Sequence, residues 1–287
     1  MSALRRIWLC ADDYGLAPGI NTGIRKLIER GRLNATSVMT AAHYVRGDEA
    51  QALVALNDGR KRALLGLHVT LTAPFTPLTE RFAPSKDGAF PRNLDMLQLG
   101  MRRRLTQDVL YREIAAQIDA FGEIFGCAPD YLDGHQHVHM FPVVRDAFLQ
   151  AVKEKAPNAW VRQCGRPRAA KPVTDVKGLF LDLLSVGMRA KAQPLGIAYN
   201  PAFNGAYDFT PKANFACLFL RFLQGMPDGG LVMCHPGFVD AALKSLDSLT
   251  DLREREYAFL NSDAFPAVLA AHGYELASPA GEAAPAA

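Results

Sequence analysis

Short apolar runs that alternate with longer amphipathic stretches govern what this chain can fold into. Ile7–Ala11, Ala35–Thr40, Leu64–Leu71, Tyr131–Asp133, Ala159–Arg162, Ile197–Tyr199 and Gly230–Cys234 have the length and content of buried strands. Gly19–Arg30, Asp48–Leu56, Thr106–Phe125, Pro142–Lys155 and Lys212–Gln224 have the periodicity of helices. In the first of these, Ile20, Ile24, Leu27 and Ile28 share a face; in the third, Val109, Ile114, Ile118, Phe121 and Phe125 do. The alternation predicts an α/β fold with a mostly parallel sheet covered by helices. Its repetition favours a closed or nearly closed (β/α) barrel over an open doubly wound sheet.

At 287 residues the chain can build one barrel-sized core. We expect a single domain over residues 1–277, followed by an Ala/Pro/Gly-rich tail at 278–287 that does not pack. Two stretches break the rhythm: Thr72–Gly100, with Pro74, Pro77, Pro84 and Pro91, and the Gly/Pro/basic Gln163–Val173. Connections that long in a compact domain usually wall or cover a site.

Composition removes several function classes. The formal net charge is only +3, and the runs Lys61-Arg62 and Arg102-Arg103-Arg104 are short, so they read as solvated faces and not as a nucleic-acid footprint. The apolar stretch Phe215–Leu223 is broken by Arg221, which argues against a membrane span. The stretch after Arg5-Arg6 stops at Asp12, too short for a signal-peptide core. Five scattered cysteines without a CxxC pair do not make a disulfide framework and fit a reducing cytoplasm. Neither a phosphate-cradling glycine loop nor a Gly-x-Ser-x-Gly elbow is present.

Polar residues collect at the ends of the expected strands. Ile7–Ala11 ends at Asp12-Asp13, Leu64–Leu67 runs into His68, Tyr131-Leu132 leads to Asp133 and His135, Trp160-Val161 to Arg162, and Leu231–Cys234 to His235. Carboxyl ends of parallel strands build the site in barrels and open sheets, so these five ends point at one pocket. Asp133-Gly134-His135-Gln136-His137-Val138-His139 is the densest of them, and imidazole is the commonest metal-ligating side chain. Asp12 and Asp13 would repel each other if buried without a cation or strong donors; one can bind a metal while the other acts as a base, and an Asx-turn before the next helix is the plain alternative. A buried Arg162 needs a carboxylate, with Asp12 the natural partner, although a surface position fits the local sequence equally. Pro236-Gly237 forces His235 into an extended geometry that presents its ring to a cleft. Tyr199 and Asn200 end another expected strand and are candidates to line the pocket; His43 and His272 read as structural.

Taken in order, Ala11-Asp12-Asp13-Tyr14-Gly15-Leu16, Ala35-Thr36-Ser37, Gly66-Leu67-His68-Val69-Thr70-Leu71-Thr72, the histidine-rich run and Cys234-His235-Pro236-Gly237 resemble the YdjC-type carbohydrate deacetylases. That group includes chitooligosaccharide deacetylases and hopanoid-biosynthesis-associated deacetylases. The resemblance runs from the first strand to His235 and is least diagnostic between about Gly165 and Pro227. It implies a distorted (β/α) barrel related to polysaccharide deacetylases, with a divalent metal held by Asp13, His68 and His135. It further implies Asp12 as general base, His235 as general acid and Arg162 as the residue that holds Asp12. Tyr14 departs from the pattern, where phenylalanine is commoner; with Asp133, His137 and His139 it is a candidate to contact substrate or to fix the site from behind.

The chemistry that follows is hydrolysis of an N-acetyl group on a sugar or glycoconjugate, giving acetate and a free amine. The ion would polarise the carbonyl and acidify water, Asp12 would take the water proton, and His235 would protonate the departing amine. Imidazole ligands suit zinc better than magnesium, yet the family is often described with magnesium, so one divalent ion of either kind is expected. The partner is an N-acetylated saccharide or glycolipid, and a homodimer is left open. Hydrolysis of another amide or a phosphoester by the same residues is the rival activity. A sugar- or metal-binding protein without turnover is the non-enzymatic rival, but a binder needs neither Asp12 nor His235.

Overall fold

The computed structural model describes residues 3–80, 82, 87–102, 104–167 and 175–280. A parallel sheet runs in the order β5-β4-β3-β2-β1-β7-β6, comprising β1 (Arg5–Tyr14), β2 (Ala35–Val38), β3 (Leu64–Val69), β4 (Tyr131–Gly134), β5 (Trp160–Val161), β6 (Phe203–Asn204) and β7 (Gly230–Cys234). Ten helices surround it among the described residues: α1 (Pro18–Glu29), α2 (Asp48–Ala55), α3 (Asn93–Met101), α4 (Gln107–Phe125), α5 (Val144–Lys155), α6 (Val176–Ala192), α7 (Phe215–Leu223), α8 (Ala241–Leu246), α9 (Asp251–Asn261) and α10 (Ala264–Ala271). The sheet curls until its ends approach, where Val161 of edge strand β5 makes one parallel bridge to Tyr199, on the segment leading into β6. The expected distorted barrel of parallel strands is therefore the fold found.

Strand β1 is the axis of the molecule. It pairs with β7 on one side; on the other it pairs first with β8 (Tyr274–Leu276), at Arg5–Ile7, and then with β2 from Cys10 onward. Asn34 fills the junction. Its Oδ1 accepts from the Leu9 amide at 2.7 Å, and its Nδ2 donates to the Ile7 and Ala277 carbonyls at 3.0 and 2.9 Å. Backbone groups stranded where one neighbour ends and the next begins are thereby satisfied.

Two expectations change. Ile197–Tyr199 is not a strand: Ala198 accepts one bond from the Val161 amide, Tyr199 bridges once, and the chain pairs with β7 only at Phe203–Asn204. Pro201 offers no amide to a ladder and separates the two contacts. Thr72–Gly100 is not irregular throughout, because α3 forms within it, its apolar residues too unevenly spaced to betray a helix. Helix α6 fills much of a stretch for which no element was expected. Arg103, residues 168–173 of the expected basic loop, and positions 281–287 of the expected tail lie outside the described residues. No helix among the described residues is long and apolar enough to cross a membrane.

Inside the curl, the apolar core gives way to a polar layer just below the carboxyl ends. Tyr131 lies flat on Trp160, ring centroids 4.5 Å apart, and its hydroxyl sits 2.9 Å from the Cys10 thiol and 3.0 Å from the Ser37 hydroxyl. The ring passes directly over Gly66, where a Cβ would lie inside the ring's van der Waals surface. This close approach, not backbone freedom, is why the strand carries glycine before His68. We predict that Gly66→Ala displaces Tyr131 and destabilises the protein by about 1–3 kcal/mol, the cost of overpacking a filled core. Urea unfolding with the m-value unchanged is the check, and a neutral result would show that the ring can move freely.

Candidate active site

Successive side chains of a strand point to opposite faces, yet Asp12 and Asp13 both reach the same cavity. The backbone explains it. The β1–β2 register slips between Ala11 and Tyr14, and Asp13 takes a left-handed conformation with φ 71°. That bulge turns the second carboxylate onto the face of the first. Aspartate is one of the few non-glycine residues that adopts this region without large cost. Leu16 N–H donates to the Asp13 carbonyl at 3.0 Å and Gly15 N–H to Asn21 Oδ1 at 2.6 Å, closing the turn into α1.

Arg162 fixes the pair from below. It is fully buried; its two terminal nitrogens grip Asp12 at 2.7 and 2.6 Å, and one of them also lies 2.6 Å from Asp133 and 3.0 Å from Cys10 Sγ. The surface alternative for Arg162 is thereby excluded. Cys10, Asp12 and Asp133 are close enough to resemble a ligand set, but this guanidinium already meets their charge. Asp133 reaches the other way as well, accepting from His68 Nδ1 at 2.6 Å and from Ser37 Oγ at 2.6 Å. With Nδ1 so bound, His68 Nε2 is turned toward Asp13, 3.5 Å from its carboxylate.

His135 completes the cluster, its Nδ1 3.0 Å from Asp13 Oδ1. The histidine run is neither extended nor helical: Gln136 and His137 have φ of 53° and 59°, so the chain coils into a tight turn that sends its three imidazoles apart. His135 and His137 face the cavity. His139 is buried behind it and donates from Nε2 to the Arg162 carbonyl at 3.0 Å, so it braces the strand that carries the guanidinium. One oxygen donor from Asp13 and one nitrogen each from His68 and His135 lie within 4.8 Å of one another. One carboxylate and two imidazoles, one of them braced by a carboxylate behind it, form a donor set that fits a divalent cation with positions left open.

The electrostatics favour such an ion. Burial alone would discourage charge on Asp13, but the guanidinium of Arg253 and the ring of His135 hold its carboxyl well below the usual range. Burial likewise opposes charging His68, yet Asp133 and Asp12 pull it up to about 10. Three buried carboxylates, Asp12, Asp13 and Asp133, face two buried guanidiniums, Arg162 and Arg253, so a cation beside Asp13 would supply the missing positive charge.

Helix α9 supplies the opposite wall, which the sequence did not reveal. Arg253 is buried and links Asp13 to Asp247, both at 2.7 Å. Glu256 is fully buried and accepts from the His235 amide and the Tyr207 hydroxyl, each at 2.6 Å, and so fixes where the β7 end turns. In sequence, Asp251–Asn261 reads as a charged surface helix; the only sign otherwise is that Arg253, Glu256 and Leu260 share a face. Asp12, Asp13, His68, His135, His137 and His235 line one cavity of about 380 Å³, walled also by Pro74, Phe75 and Asn93 from the first long connection. Tyr14 does not line it: its hydroxyl donates to the Glu49 carbonyl at 2.6 Å on the α2 side, because the bulge turns the residue after Asp13 away. Asp133 and His139 lie behind the lining, against His68 and the Arg162 carbonyl. Tyr199 is outside the lining, and Asn200 is buried, its amide spent on the backbone of Gln163 and Ala202.

The family profile of YdjC-like proteins matches residues 6–271, so the chain belongs to the YdjC-like family. A chitooligosaccharide deacetylase of Citrobacter koseri is 27% identical over 272 residues, covering 93% of this chain and 95% of that protein. A crystal structure from Enterococcus faecalis V583, of a protein named for cellobiose-phosphate cleavage, superposes with a TM-score of 0.71 at 21% identity, covering 96% of this chain and 98% of that one, and shares the fold.

Glu256 gives the wall a pH signature. Burial raises its carboxyl from the ordinary 4.5 to about 7, although the Tyr207 and His235 bonds pull the other way. The folded protein therefore holds a proton that the unfolded chain has released, and stability falls as pH rises from about 4.5 through about 7, by on the order of 3 kcal/mol. Glu256→Gln should flatten that fall. Unfolding midpoints measured between pH 5 and 8 decide it, and an unchanged slope would mean that Glu256 is ionised when folded.

Proposed function

We propose that this protein is a metal-dependent hydrolase that removes the N-acetyl group from an N-acetylated sugar, releasing acetate and a free amine. The observation that carries this reading is the β1 bulge, which sets Asp13 against two imidazoles and its neighbour Asp12 on the wall of the same cavity. Membership of the YdjC-like family and likeness to a chitooligosaccharide deacetylase support it. Asp13, His68 and His135 would hold one divalent cation, zinc or magnesium, with the imidazoles favouring zinc. When bound, the ion polarises the acetyl carbonyl and offsets negative charge on its oxygen.

The remaining work falls to the chain itself. Asp12 accepts the proton of the attacking water, and the two-pronged Arg162 grip keeps its carboxylate from rotating away. Asp133 sets the tautomer and direction of His68. His235 delivers a proton to the departing nitrogen. Burial depresses its imidazole to about 4 despite the pull of Asp13, so it is neutral at rest and takes up its proton during turnover. The hydrogen bond from its backbone N–H to Glu256 Oε2 fixes the strand end that presents it. The five cysteines are all free, which supports placing the reaction in a reducing, cytoplasmic compartment.

The direct test is acetate release from N-acetylated mono- and oligosaccharides and acetylated glycolipids, using protein stripped of metal and reloaded with zinc or magnesium. Activity should return with the ion, and Asp12→Asn should keep the metal while losing at least about 10² in turnover. Cleavage of phosphoesters with no acetate from any sugar would replace this reading with the rival hydrolase. His235→Ala should damage turnover more than substrate binding, and the loss should shrink on an activated ester whose leaving group needs no proton. Equal losses on ester and amide would assign His235 a positioning role instead.

A further inference from the structure

Helix α6 is apolar on two faces. Inward, Leu181, Met188 and Ala192 join the core beside Asp182, Ser185 and the half-buried Arg189, which bond to Arg166 and Gln163. Its outward face carries Val176, Leu179, Phe180, Leu183 and Val186, at 77, 39, 40, 69 and 57% exposure. These positions recur at intervals of three and four, so they form one apolar stripe along the helix with no charge within it. Lys177, on the first turn of α6, lies with its Nζ 5.2 Å from the ring centroid of Phe209, and both line the cavity that holds Asp12, Asp13 and His235. The helix thus starts at the rim of that cavity.

We propose that the outward face of α6 is a peripheral docking surface for an anionic lipid bilayer. Three features select this occupant over a second copy of the chain. The five side chains leave apolar area on the order of 500 Å² open, short of the roughly 800 Å² per partner that a stable pair buries. Exposed Lys177 stands at the start of the stripe, with Lys212 and Arg221 in the trough that shares it; Lys191, at the far end, is 3.7 Å from Asp146. Of the nearby acids, Asp175 is paired with Arg166, and Asp146 with Arg145 and Lys191, leaving Asp208 on the rim. An apolar helix face edged by basic residues is the pattern of interfacial helices, which sink their apolar side chains just below the headgroups. Finally, continuity with the rim would bring the cavity mouth to the bilayer, where an N-acetylated headgroup can enter from the lipid side; this last consequence rests on the proposed deacetylase reading, while the docking itself does not.

Vesicle binding tests it without substrate. The full chain should sediment with vesicles of phosphatidylcholine and phosphatidylglycerol, and less with phosphatidylcholine alone. Phe180→Gln/Leu183→Gln/Val186→Gln should bind at least about tenfold more weakly, since three apolar side chains no longer insert. Its acetate release from a soluble N-acetylated oligosaccharide should match the parent. In Leu183→Trp, tryptophan emission should shift to the blue on vesicle addition, an independent readout of insertion. No sedimentation of the parent, or equal sedimentation of the triple variant, overturns the proposal. So does a dimer in sedimentation velocity that the triple variant dissolves, which would make the face a contact between copies. Vesicle binding by a protein inactive on every sugar would overturn the deacetylase reading alone.

Discussion

The Arg162 guanidinium occupies the one place from which two buried carboxylates of different strands can be neutralised together. Asp12 at the end of β1 and Asp133 at the end of β4 meet at the same terminal nitrogen of it, and neither could be buried as an anion without it. Its consequences spread outward. Asp133, held in place, fixes His68; His68 and His135 face Asp13; Asp13 is closed from the far side by Arg253. The barrel's mouth is thus a lattice of alternating charge whose members come from β1, β3, β4, β5 and α9. Even the support behind Arg162 is polar, since His139 bonds the backbone carbonyl of the same residue.

Much of this was legible because a buried parallel strand is an apolar run, and a polar residue that ends it is conspicuous. Asp12, Asp13, His68, Asp133, Arg162 and His235 all stand at such ends, and the structure brings them to one mouth. What escaped the sequence escaped for physical reasons. Arg253 and Glu256 sit on a helix so rich in charge that its two buried members look like the rest. Strand β6 is two residues long and offers no pattern, while the apolar Ile197–Tyr199 nearby offers a misleading one. The direction of His137 and His139 depends on left-handed dihedrals at Gln136 and His137, which neither residue type announces.

Helix α6 shows the same limit from another side. Asp182, Ser185 and Arg189 turn toward the protein because Gln163 and Arg166, on the connection after β5, need partners there, and they share that face with buried Leu181 and Met188. A helix apolar on two sides has no single period that tells which side looks inward. Only its packing reveals that Val176, Leu183 and Val186 are on the outer side.

The bulge in β1 carries a mechanical consequence. Asp12 and Asp13 are joined by a single peptide unit, so their Cα atoms are held about 3.8 Å apart whatever the barrel does. A trans peptide fixes that spacing but not where the carboxylates point: in a regular strand they would face opposite ways, and the left-handed Asp13 dihedral brings them to one side. Arg162 then grips Asp12 and Arg253 grips Asp13, each from a different part of the chain. The spacing between the group proposed to take a proton and the group proposed to anchor the ion is therefore set by one backbone dihedral clamped between two guanidiniums.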